Sequence, residues 1–499
     1  MIYHCEDHTC NYWDEGEKLP ERCPQCGRKL LRANEADMTG DDWTALGNTL
    51  WDAEASDKKR MVDCFRKAAY LGSAWGVCNL GICMEQGNGV EADPVQAFWL
   101  YQQAVEMGSL NAVCCLGVCY QYGIGTAPDA KQAAELYCKA AEYGSPRGQM
   151  LLARAFHDGI GVEADAAEAV HWVRAAAYQR YGEGMHRLGV CYAYGDGVEQ
   201  NWERAVHWFR EAAESGVSVA MADLGYCYEK GCGVEQSWEQ AFSWYRRGAE
   251  CGYPVSMSNL GLCYKRGYGV EQNWQEAIKW YEQGAQCGDL QSMHNLACCY
   301  EHGEGVEQNM TEAIRWYTAA AEGGNADAMH NLGWLYDHGE GVEQDMKKAI
   351  CWYERAAEQN HPAAMNSLGE CYAMGRGVPR DLETAMEWYR RAAELGEAMA
   401  DYNMGWHLEQ AGKLSEAYAH YRKAADGNDD SAWWALGRFY ENGVVVAQDG
   451  KEARRCYETG EKLGSVKCKM RLARCKLLGI GGRRAKKAGL DLCRQALEL

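Results

Sequence analysis

Leucine returns every thirty-six positions along most of this chain, and only a fold with a matching structural repeat can absorb that regularity. It stands at 80, 116, 152, 188, 224, 260, 296, 332 and 368 without a slip, and Met404 continues the series. Each anchor belongs to the same local text, as in Leu188-Gly189-Val190-Cys191-Tyr192-Ala193-Tyr194-Gly195-Asp196-Gly197-Val198. A period of this length marks a protein built from stacked supersecondary units, in which no unit buries its apolar face alone. That escapes the usual division of a 499-residue chain into several globular cores.

One unit shows the physics. Ala220, Leu224, Cys227 and Tyr228 recur at helical spacing and predict a first helix, helix A, over about Ser218 to Lys230. Gly225 lacks a side chain and lets the second helix approach. Gly231-Cys232-Gly233-Val234 then turns the chain, with glycines where positive φ is expected. Helix B has a sharp start signal. Positions 93, 129, 165, 201, 237, 273, 309, 345 and 381 are all Asp, Asn or Ser, the residues whose side-chain oxygen satisfies an orphan amide of the first turn. Gln96, Gln132, Glu168, Gln240, Glu276 and Glu312 stand three residues later, the spacing of a reciprocal capping box. Pro94 falls at a first helical position. Trp172, Trp208, Trp244, Trp280, Trp316, Trp352 and Trp388 run down helix B, followed by Ala-Ala pairs and a terminal glycine such as Gly108, Gly216 or Gly324. The reading is an all-α chain: a right-handed α-superhelical solenoid of about thirteen helix pairs.

The alternation A-x-x-x-L-G-x-x-Y-x-x-G-x-G-V, followed by A-x-x-W-Y-x-x-A-A-x-x-G, resembles the Sel1-like repeat, a relative of the tetratricopeptide repeat. The resemblance covers about residues 40–499 and implies an interaction scaffold with no catalytic residues to carry over. The departures fall at the ends, as degenerate capping units at about 40–72 and 400–499. The unit at Leu46-Gly47 lacks the glycine-rich turn, the one at Met404-Gly405 has Glu409-Gln410-Ala411-Gly412-Lys413 in its place, and the last anchors at Leu472-Ala473.

Residues 1–33 do not follow the repeat. Cys5, Cys10, Cys23 and Cys26 are spaced C-x4-C-x12-C-x2-C, and Cys23-Pro24-Gln25-Cys26-Gly27 has the form of a zinc knuckle. His8 stands at C-x2-H from Cys5 and is an alternative ligand to Cys10. A segment this short cannot bury enough surface to fold unaided, and a tetrahedral metal site supplies the missing stability. It resembles a zinc-ribbon or rubredoxin-like module. Four cysteines leave no open coordination position, so the expected metal is structural, zinc before iron. The domain reading is therefore 1–33 for this module and 34–499 for the repeat solenoid.

A formal net charge of −20 argues against nucleic-acid binding, which demands a basic footprint. The last forty-nine residues reverse the sign, with 14 Lys and Arg against 5 Asp and Glu. Such an asymmetry admits self-association through the basic C-terminal end, beside the plainer reading of a solvated terminal unit. The N-terminus has no apolar stretch behind a basic start and no 18-residue apolar span exists, so a cytoplasmic protein without membrane contact is expected.

Seven cysteines (Cys83, Cys119, Cys191, Cys227, Cys263, Cys299, Cys371) take one position in the unit. Helix packing sets neighbours about 10 Å apart, beyond the roughly 7 Å a disulfide tolerates, so these read as small core hydrophobes. Disulfide-bonded relatives of the family pair a cysteine late in helix B with one early in the next helix A. Here Cys251 and Cys287 end helix B, but the following helices supply no regular partner.

The resemblance puts helix A on the concave face of the superhelix. Aromatics and histidines concentrate there between Tyr226 and Trp406, and Tyr226, His294, Asn295, His330, Asn331, Trp334, Tyr402 and Trp406 are the expected partner-binding residues. Asn recurs just before the anchor, at 79, 259, 295, 331 and 403. A repeated amide here either bonds the backbone of an extended peptide or satisfies its own array. His294 and His302 lie two turns apart, roughly 12 Å, too far for one metal ion.

No nucleophile elbow, phosphate loop, dinucleotide fingerprint or metalloprotease helix is present, and catalytic residues are expected to be absent. The leading function is a cytoplasmic, non-catalytic scaffold that binds a protein or peptide in its groove. The alternatives are an exported, disulfide-stabilised interaction or virulence-type factor and, last, a β-lactamase-like hydrolase.

Overall fold

The computed structural model describes residues 2–5, 13–15, 30–32, 35–51 and 55–497. Beyond residue 32 the described residues form α-helices joined by short turns: 26 helices in thirteen antiparallel pairs. The expected helix Ser218–Lys230 has those bounds, and helix B of the same unit runs Trp238–Glu250. Three short strands precede the helices. β1 (Ile2–Cys5) lies between β2 (Trp13–Glu15) and β3 (Leu30–Arg32), antiparallel to both, with Tyr3 opposite Asp14 and Arg32. Cys10, Cys23, Cys26, His8 and the side chain of Cys5 lie outside the described residues. The chain forms two compact units, Met1–Tyr253 and Pro254–Leu499. Among the described residues no helix is long and apolar enough to cross a membrane.

In most hairpins the core is a glycine facing a ring. Tyr101, Tyr137, Tyr245, Tyr281, Tyr317, Tyr353, Tyr389, Tyr421 and Tyr457, all on helix B, are fully buried. A Cβ added at Gly225 would come within 2.6 Å of the Tyr245 ring, and one at Gly261 within 2.5 Å of Tyr281. The Leu-Gly dipeptide thus exists to seat the ring. The tryptophans that precede these tyrosines are less deeply placed. Several lie under a cation, Arg247 at 4.3 Å from the Trp244 ring and Arg355 at 4.3 Å from Trp352, which is how a large apolar body with one face toward solvent is covered.

All nine N-cap side chains accept a first-turn amide, as in Asp93 from Gln96 and Asn273 from Glu276. The reciprocal half of the capping box does not form at these caps, for a local reason. Each N-cap amide already donates to a carbonyl nine residues earlier in helix A, Asp93 to Met84 at 2.8 Å, Asn309 to Tyr300 at 2.8 Å and Asp381 to Tyr372 at 2.9 Å. The turn, rather than the N3 side chain, satisfies the donor. At the other end of helix B the left-handed residue is Gly108, Gly144, Gly216, Gly252, Gly288, Gly324 or Gly396. Where the repeat lacks that glycine, Arg180, Asn360 and Asn428 adopt the same conformation, at φ 59, 60 and 66°.

Candidate partner-binding face

Successive A helices are linked by a polar ladder. The residue two before one anchor meets the residue just before the next, thirty-seven positions on. His186 Nε2 meets Asp223 Oδ2 at 2.7 Å in the first unit. In the second, Asn295 donates to Ser258 Oγ at 3.4 Å, Asn331 to His294 Nε2 at 3.2 Å, and Asn403 to Asn366 Oδ1 at 2.9 Å, while His330 Nε2 meets Ser367 Oγ at 3.4 Å. Asn295, Asn331 and Asn403 therefore satisfy the array itself.

The ladder settles where the expected residues lie. His294 and Asn331 are joined to each other, and Asn331 also donates to the Tyr317 hydroxyl at 3.4 Å. Burial lowers the pKa of His294. Tyr402 is half-buried, its ring 5.6 Å from that of Tyr421. Trp406 stands 43% exposed one turn further along the same helix, edge-on to His407 at 4.7 Å. Tyr226 is 45% exposed but belongs to the first unit.

His330 and Trp334 come together in a cavity of about 350 Å³ on the helix A side of the second unit. The helices Ala326–His338 and Pro362–Met374 form its walls, and Glu397 and Met399 close one end. The Trp334 indole stacks on the His338 ring at 4.2 Å and 23°. His330 stacks on His361 at 5.1 Å, and burial, then the neighbouring His361 charge, hold its pKa down at about 4.

Sequence reasoning missed Asp337 and Arg376 in this cavity. Asp337 is 3% exposed and accepts from Arg376 Nη1 at 2.9 Å and, weakly, from the Tyr353 hydroxyl at 3.4 Å. The equivalent acid elsewhere is glutamate, which reaches the tyrosine at 2.7 Å in Glu441–Tyr457 and 2.8 Å in Glu229–Tyr245. Aspartate is one methylene shorter, so the carboxylate turns to Arg376 and space opens beside it. Glu370 lies 3.7 Å from Arg376 Nη2 and accepts from Asn366 and Asn403. Arg376 Nε is buried without a hydrogen-bond partner among the described residues. The one-methylene change was the available signal in the sequence.

These features define an α-hairpin repeat protein, with most pairs locked by a glycine–ring contact and several neighbouring pairs joined by a side-chain ladder. The family model described as Sel1 repeat matches residues 76–109 and 112–145, every thirty-six-residue block from 146–181 to 362–397, and then 398–429 and 432–465. The chain belongs to the Sel1 repeat family. The first and last helix pairs fall outside the matched segments, while two matched segments, 398–429 and 432–465, lie in the C-terminal range expected to be degenerate. Among solved structures, the chain is similar to c5321, a protective antigen present in uropathogenic Escherichia coli strains, at 31% identity and a TM-score of 0.57, covering 88% of this chain and 94% of that one. It is also similar to a Sel1 repeat protein from Oxalobacter formigenes, at 31% identity over 49% of this chain and 96% of that one, with a TM-score of 0.45. Comparison with curated proteins gives no match.

Proposed function

We propose that this chain is a non-catalytic scaffold that binds a protein or peptide on the helix A face of its second unit, at a segment carrying a basic side chain. The observation that carries this reading is the cavity beside Trp334. It combines an aromatic wall with Asp337, Glu370 and Glu397 against one Arg376, an excess of negative charge in a chain already at −20. An aromatic ring beside carboxylates suits a lysine or arginine, whose stem lies on the ring while its head meets the acids. Aromatic anchors carry most of the energy of such contacts. Affinity capture with the intact chain tests the idea: Trp334→Ala should lose proteins that both the wild type and Trp99→Ala retain. Equal capture by all three refutes it.

The N-terminal residues are proposed to form a separate module over 1–33, with Cys5, Cys10, Cys23 and Cys26 holding one structural zinc and His8 as alternative to Cys10. The donor set supports this, since four thiolates at these spacings suit a closed tetrahedral site. Metal analysis of protein purified without chelator should find one zinc per chain, lost in Cys23→Ser. A value near zero in the wild type removes the proposal.

The scaffold is read as cytoplasmic. The protective-antigen description of c5321 favours a second reading, an exported interaction factor. Thiol titration under denaturing, non-reducing conditions separates them, because an exported protein stabilised by disulfides would show many paired cysteines.

A further inference from the structure

We propose that the first unit carries a binding site for a small aromatic carboxylate, in a cavity that opens where Val173 replaces the tyrosine of the repeat. This goes beyond the partner-binding reading and rests on different residues. Position 173 follows Trp172 as Tyr245 follows Trp244, yet it is valine, while the next unit has Phe209. In every other helix pair of the first unit, and in all of the second but the last, where Cys493 stands, a ring occupies this place. Opposite Val173 the usual glycine has become Ala153. One methyl group does not replace a ring, and Ala297 opposite the buried Tyr317 shows that this alanine and a ring can coexist.

The result is a cavity of about 540 Å³, within the range that holds small organic ligands. Its apolar wall is Met150, Ala153, Val170 and Val173, and Arg147, Arg154 and Arg187 reach into it. Asp158, Glu183 and Asp196 also line the cavity, each with a hydrogen-bond or ion-pair partner of its own. His157 meets Asp158 at 2.6 Å and Asp196 at 3.3 Å, Arg187 lies 3.4 Å from Asp196, and Glu183 accepts from Tyr181 at 3.3 Å. Arg147 reaches only the Cys115 sulfur, at 3.6 Å, and among the described residues neither Arg147 nor Arg154 has a carboxylate in ion-pair range.

Arg147 faces the Cys115 thiol, whose pKa the Cys78 hydrogen bond and Arg147 itself lower, so Arg154 is the guanidinium left to meet an anion. A planar guanidinium matches a carboxylate in two-point geometry and also packs on aromatic faces. The two arginines are seven residues apart on one helix, about 10 Å along its axis. That span fits a benzene ring with a short carboxylated arm better than a bare anion. The ring takes the place left by the missing tyrosine and the carboxylate takes a guanidinium.

Calorimetric titration of the intact chain with 3-phenylpropionate is the test. Saturable binding at one site per chain is expected, weakened at least tenfold in Arg154→Gln or with neutral 3-phenylpropanamide as the probe. Val173→Tyr refills the space with the repeat's own residue and should weaken binding at least tenfold while keeping helical content. If that variant loses helicity, Ala153→Gly with Val173→Tyr restores both repeat residues and takes its place. No saturable binding by the wild type overturns the proposal. So does a loss smaller than tenfold in the refilled variant.

Discussion

Asn403 donates its side-chain amide to the amide oxygen of Asn366 at 2.9 Å, and the two stand thirty-seven residues apart, one more than the repeat. That extra residue identifies the bond as a link between units rather than a cap inside one. Asn403 also donates to Glu370 at 3.3 Å. Replacing it with alanine takes one donor from the buried Asn366 and one from the half-buried Glu370, and about 1–2 kcal/mol of stability should be lost. Urea denaturation of Asn403→Ala checks this; an unchanged midpoint would show the ladder to be incidental.

Two tyrosines in equivalent positions should respond oppositely to losing their hydroxyl. Tyr457 donates to Glu441 at 2.7 Å, whereas the buried Tyr281 hydroxyl has no partner among the described residues. At the place of the acid, sixteen residues earlier, the chain has Lys265, which pairs with Glu304 at 2.7 Å. Tyr457→Phe should cost about 1 kcal/mol, and Tyr281→Phe should be neutral or stabilising, because the phenylalanine buries no unsatisfied oxygen. Thermal melts of the two variants decide it.

Val445 is a β-branched residue in the left-handed region, at φ 65°. The same turn position is glycine in the units before it, such as Gly341 at φ 71° and Gly377 at φ 73°. Val445→Gly should therefore stabilise the protein, by about 1 kcal/mol. A lower melting temperature for the variant would contradict this.

Acid should weaken the second unit through His330. Its folded pKa of about 4 lies below the ordinary histidine value, so the unfolded chain binds the proton more readily. The contribution is intact above about pH 6.5 and falls as the pH drops toward 4, by at most about 1.4 kcal/mol per pH unit. His361 and Asp327 face the same place, and their pairing at 3.1 Å holds the Asp327 pKa low. Denaturation at pH 7 and pH 5 should show a smaller drop for His330→Asn than for the wild type.

Much of this fold was readable before any coordinates, because a translational repeat writes its boundaries many times over. The helix ends, the nine N-caps and the left-handed glycines all followed from position. What did not follow were features set by a second residue far along the chain. The capping boxes fail because the N-cap amide goes to a carbonyl nine residues back, which no i,i+3 pattern reveals. The asparagines at 295, 331 and 403 had two credible partners, and only the thirty-seven-residue contact distinguishes them. Asp337 and Arg376 are thirty-nine residues apart, and neither stands out until they meet. Val173 was visible as an exception, but its meaning required knowing that the residue after tryptophan, and not tryptophan itself, fills the hairpin.

The central claim is that the face around Trp334 holds a partner, and affinity measurement with defined ligands tests it most directly. Peptides selected from a display library against the intact chain would be titrated into the wild type, Trp334→Ala and Asp337→Asn. The account predicts that bound peptides carry lysine or arginine and that Trp334→Ala weakens them at least tenfold, about 1.4 kcal/mol, with helical content unchanged. Selected peptides without a basic residue, or equal affinity in wild type and Trp334→Ala, would contradict it.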